Sequence, residues 1–92
     1  MFVAHKPHIA PLAPASKVIA KFGNAYDLSR ALSQLAEHTG DNKVRRSPSV
    51  VFRWTYSRSR GGTDGHVPTS AIAAILDAAR LEGIMLAKED FF

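Results

Sequence analysis

From Val18 to Ala36 apolar residues recur at spacings of three and four, which predicts two successive helices. The first is expected over Lys17 to Phe22, with Val18, Ile19 and Phe22 on one face, Ser16 as its N-cap and Gly23 as its left-handed stop. Asn24 caps the second, which carries Tyr26, Leu28, Ala31, Leu32, Leu35 and Ala36 and is expected to run to about His38, with Gly40 ending it. Residues 39–46 are polar and read as a connection. Ser47-Pro48 then gives a helix start signal, a hydroxyl cap followed by proline at the first helical position.

The third helix is expected over 47–57. Val51 and Trp54, three apart, turn toward the core with Val50 beside them, and Ser49, Phe52, Arg53 and Tyr56 lie more to the other side. The β-branched Val50, Val51 and Thr55 also permit a strand from Val50 to Tyr56, but the cap signal and the flanking helices favour helix. Ser59 to His66 is Gly-rich and reads as a flexible loop. Thr69 or Ser70 caps a last helix with Ile72, Ile75, Leu76 and Ala79 on one face, and Gly83 ends it. Ile84, Met85 and Leu86 are expected to fold back onto the core before the closing Phe91-Phe92.

Together these elements predict an all-α fold, a compact bundle of four to five short helices over residues 16–92. A Pro-containing arm, residues 1–15, precedes it, and its His5, Lys6 and His8 are possible phosphate contacts. The chain has no cysteine, which excludes disulfides and thiolate metal sites. No apolar run has the length of a signal peptide or a bilayer span, so a soluble cytoplasmic protein without a membrane partner is expected.

Charge placement changes the picture most. Six Lys or Arg and no Asp or Glu lie between Lys43 and Arg60, whereas the rest of the chain holds six basic residues against eight acidic ones. The whole net charge of +4 is thus owed to one short segment, and concentrated positive potential attracts polyanions. Chemistry of other kinds is sparse. The glycines at 61, 62 and 65 lack the spacing and the following Lys-Ser/Thr of a phosphate loop. His5, His8, His38 and His66 form no helical metal-ligand pair, and no two carboxylates stand out as acid and base, so neither an enzyme nor a metal or other cofactor is expected.

A basic, Ser-capped helix after a helix and a connection suits the DNA major groove. Ser47 and Ser49 are short and can bond base or phosphate. Arg53 is forked, matching a guanine edge, where a bidentate pair contributes about 1–3 kcal/mol of discrimination. Phe52 and Tyr56 can meet a thymine methyl or the sugar-phosphate wall. Lys43, Arg45 and Arg46 before the helix and Arg58 and Arg60 after it are better placed for phosphates, which position without reading sequence.

Three runs carry a family resemblance: Val18-Ile19-Ala20-Lys21-Phe22-Gly23, Leu28-Ser29-Arg30-Ala31-Leu32, and Ser47-Pro48-Ser49-Val50-Val51-Phe52-Arg53-Trp54. They resemble the small Cro/repressor-like helix-turn-helix regulators of phages and bacteria. Leu28 and Leu32 match the two leucines of that family's first motif helix. Val51, Arg53 and Trp54 match its recognition helix, and Gly65-His66-Val67-Pro68-Thr69 and Gly83-Ile84 look like its later junction and tail. Ser29 and Ser33 depart from the family's small residues, and the connection before Val51 is longer than its tight turn. The resemblance implies transcription regulation, in the sense of a repressor, by a homodimer on a palindromic operator. Two recognition helices about 34 Å apart would enter successive major grooves. The apolar tail (Met85, Leu86, Phe91, Phe92) is a candidate dimer interface or a cap on its own core. An alternative is a protein-interaction module, such as an antitoxin or adaptor, binding an acidic partner through the same patch.

Overall fold

The structure is a computed structural model that describes residues 13–92. The described residues form four α-helices, α1 (Pro14–Phe22), α2 (Ala25–Thr39), α3 (Pro48–Arg53) and α4 (Thr69–Glu82), with short 3₁₀ turns between α2 and α3 (Asn42–Val44), between α3 and α4 (Arg58–Arg60) and after α4 (Lys88–Phe91). The expected all-α architecture is therefore found. Among the described residues there is no strand, so Val50 to Tyr56 is not one. No described helix is long and apolar enough to cross a membrane. His5, Lys6 and His8 lie outside the described residues.

The two N-terminal helices differ in how well their starts were anticipated. Asn24 caps α2 as expected, its Oδ1 accepting from Asp27 N at 2.9 Å, and Gly40 closes the helix in the left-handed region at φ 76°. Helix α1 instead begins at Pro14, whose fixed φ suits a first helical position. Ser16 is not its cap, and Ala15, expected in the arm, is fully buried. Helix α4 likewise starts without the expected Thr69 or Ser70 cap; Pro68 occupies the cap position, and no side chain bonds the first turn.

Helix α2 is central. It buries Leu28, Ala31, Leu32 and Leu35 and packs against α1, α3 and, most extensively, α4. Helix α4 meets this core through Ala71, Ala74, Ile75 and Ala78, while Ile72 and Leu76 sit half-buried at the margin of the seam. Of the predicted face, Ile75 and Ala79 are buried as expected, and the buried stripe extends to Ala71, Ala74 and Ala78 rather than to Ile72 and Leu76. At its other end Gly83, at φ 74°, reverses the chain, and Ile84 N donates to Ala79 O at 2.8 Å. The last 3₁₀ turn then packs on α1 and seats Phe91 in the core. Leu86 is half-buried against it, but Met85 does not fold back: it is 86% exposed, and Phe92 is 79% exposed.

Candidate nucleic-acid interface

The basic segment is held at both ends by polar bonds that the charge pattern does not announce. Before α3, the buried Ser29 of α2 donates its Oγ–H to Arg46 O at 2.7 Å, tying the connection to the bundle. Leu35 is buried in the core, and Val44 of the connection is half-buried against that core. Ser29→Ala is expected to cost about 1 kcal/mol, the net worth of one hydrogen bond, because Arg46 O loses its protein donor. Urea unfolding measures it, and no change would show that Ser29 does not anchor the connection.

Ser47 caps α3, its Oγ accepting from Val50 N at 3.3 Å, and Pro48 opens the helix. Val51 and Trp54 are 0% and 2% exposed, so the inward face is the predicted one. The helix is shorter than the expected 47–57. It ends at Arg53, and the amides of Trp54, Thr55 and Tyr56 donate to carbonyls three residues back. The following loop then bonds carbonyls of this tightened stretch. Thr63 N donates to Arg53 O at 3.2 Å, Asp64 N to Tyr56 O at 2.8 Å, and Thr63 Oγ1 to Trp54 O at 3.0 Å.

The segment expected as a flexible loop is therefore a closed lobe. Gly62 N donates to Ser57 O at 2.9 Å, and a Cβ on Gly62 would lie inside van der Waals distance of the Tyr56 and Arg53 carbonyl oxygens. Asp64 adopts a left-handed conformation, φ 57°. Its Oδ1 accepts from Arg58 N at 2.8 Å and its Oδ2 from Arg58 Nε at 2.9 Å. Gly65 O accepts from Ala15 N at 2.8 Å, so the lobe is also docked on the start of α1.

The ten residues singled out from the sequence end up in distinct states. Ser49 and Arg53 are exposed, and the side chain of Arg53 has no hydrogen bond or ion pair among the described residues. Phe52 is 37% exposed and meets Tyr26 of α2 edge-on, with ring centroids 5.6 Å apart. The guanidinium of Arg60 lies over the half-buried Tyr56 ring, 5.0 Å from its centroid. Arg45 bonds Asn42 Oδ1 through Nε at 3.0 Å and stands 3.8 Å from Glu37. Arg46 Nη1 donates to the carbonyls of Lys43 and Arg45 at 2.7 and 2.9 Å. Arg58 is paired with Asp64. Arg46 is bonded only to backbone carbonyls, and Lys43, Arg53 and Arg60 carry neither an ion pair nor a side-chain hydrogen bond among the described residues.

Sequence reasoning missed Ser29, Tyr26, Gly62, Thr63 and Asp64. Ser29 had a signal, since a polar residue follows Leu28 on the buried side of an otherwise apolar stripe. Asp64-Gly65 had one too, as an Asp-Gly pair marks a left-handed turn. No known family, curated protein or solved structure matches the chain.

Proposed function

We propose that the protein is a sequence-specific double-stranded-DNA-binding transcription regulator, a repressor of the Cro/repressor-like helix-turn-helix kind. In this reading α2 and α3 are the two motif helices and the 3₁₀ turn Asn42–Val44 lies within their extended connection. The observation that carries it is the division of α3: Val51 and Trp54 anchor one side in the core, and the other side presents Ser49, Phe52 and an unpaired Arg53 to solvent. Such a helix is rigidly mounted yet free to enter a major groove, where Arg53 suits a guanine edge. Ser47, Ser49, Phe52 and Tyr56 flank it as further base contacts. Lys43 and Arg60 meet the phosphates most readily, with Arg45, Arg46 and Arg58 beside them. The Tyr26 ring meets Phe52 edge-on beside this surface. A homodimer on a palindromic operator, acting in the cytoplasm on the nucleoid, completes the reading.

Selection of bound duplexes from a random library tests it directly, and a palindromic consensus is expected. Against that consensus, Arg53→Ala should lose about 1–3 kcal/mol of discrimination at one base pair, roughly 5- to 150-fold in relative affinity. Arg60→Ala should weaken all duplexes alike. An unchanged preference in Arg53→Ala would remove α3 from the reading role. Failure to retard mixed genomic fragments at low salt would turn attention to an acidic protein partner.

A further inference from the structure

We infer that Asp64 is a built-in counter-charge to Arg58 that limits how tightly the interface holds DNA of any sequence; this rests on the DNA-binding reading above. The carboxylate makes two bonds of different kinds. Oδ1 accepts from the Arg58 backbone amide at 2.8 Å, which holds the turn, and Oδ2 accepts from the Arg58 guanidinium Nε at 2.9 Å, which occupies the cation. Only the first is needed for the shape of the lobe, and a neutral asparagine oxygen would serve there. The left-handed backbone at Asp64, φ 57°, is equally open to asparagine.

The negative charge is therefore surplus to the lobe's geometry. Nor is it a stability device, because Arg58 and Asp64 are 77% and 44% exposed and such pairs contribute little. What the charge does is pre-empt phosphate. A DNA phosphate reaching Arg58 must compete with a carboxylate already bonded to it, so that contact adds little to the counterion release that drives binding. Arg60, two residues on, stacks on Tyr56 and has no such competitor among the described residues. The +6 segment read from the sequence thus meets its own anion four residues past its end.

The test is the salt dependence of binding to a mixed-sequence duplex and to the selected operator, for the wild type, Asp64→Asn, Arg58→Gln and the double variant. Asp64→Asn keeps the backbone acceptor and releases Arg58. Its plot of log affinity against log salt is expected to steepen by about 0.9. Its gain in affinity over the wild type is then about 3- to 4-fold larger at about 50 mM salt than at about 200 mM. The preference for operator over mixed sequence stays unchanged, whereas simple damage to α3 would weaken binding and erode that preference. In the double variant the gain disappears. On the wild-type background Arg58→Gln lowers the slope by less than Arg60→Gln does.

An unaltered slope in Asp64→Asn, a gain that persists without Arg58, or a slope loss in Arg58→Gln as large as that in Arg60→Gln would each overturn the inference. A wild type that binds no duplex at low salt would instead overturn the DNA-binding reading on which it stands. The Arg58→Gln comparison does not depend on Asp64→Asn folding.

Discussion

Trp54→Ala is expected to remove a large part of the folding free energy. The indole is 2% exposed, and Trp54, at the end of α3, enters the core with Val51, while Val50 packs against its margin. Truncating a buried Trp to Ala costs about 3–5 kcal/mol, through lost burial and the cavity left behind. A domain of this size has about 0.05–0.15 kcal/mol of stability per residue, so the loss consumes much of the total. Helix α3 is also too short to survive detached, since six residues are below the length at which a helix holds itself together. Far-ultraviolet circular dichroism during a urea titration measures the effect. Trp54→Phe keeps a ring in the site and should lose clearly less. A melting curve for Trp54→Ala like that of the wild type would mean that α3 is held by something other than its core anchors.

Gly62→Ala is expected to have the next largest effect, although the residue lies on the surface of a loop. The added Cβ would meet the carbonyl oxygens of Tyr56 and Arg53, which are backbone atoms and cannot swing aside. The same oxygens accept from Asp64 N and Thr63 N, so relief of the clash pulls those bonds apart. Overpacking costs about 1–3 kcal/mol, and each bond lost adds about 0.5–1.5 kcal/mol. The melting temperature should fall by about 4–8 °C for each kcal/mol. Amide exchange at Thr63 and Asp64 should accelerate, and the placement of Arg60 on Tyr56 should loosen with it. Unchanged melting and unchanged exchange at those amides would show that the lobe is not closed as described.

These two residues also mark the limit of what could be read from the chain. Trp54 was legible because a helix repeats its faces every three to four residues, so Val51 and Trp54 had to share one. Gly62 was not, because its glycine requirement comes from a contact with carbonyls six and nine residues earlier, and no periodicity reports on that. The ends of α1 and α3 were misjudged for related reasons. Pro14 is as good a helix start as Ser16 is a cap, and only the burial of Ala15 and its bond to Gly65 decide between them. Helix α3 stops at Arg53, and the turn that follows is bonded by Thr63 and Asp64 from ten and eight residues further on.

By itself the sequence determined the all-helical class, the caps and glycine stops of α2, the inward face of α3 and the concentration of positive charge between Lys43 and Arg60. Periodicity, capping and charge are local properties, carried by residues within a few positions of one another. The tertiary structure alone decided which of those charges are free. Arg46 turns onto the connection's own carbonyls, Arg45 leans toward Asn42 and Glu37, and Arg58 is taken by Asp64, while Lys43, Arg53 and Arg60 keep their cations unpaired among the described residues. A formal charge belongs to a residue type. Its availability to a phosphate depends on which atoms the folded chain places around it, and that is settled only when the lobe closes on α3.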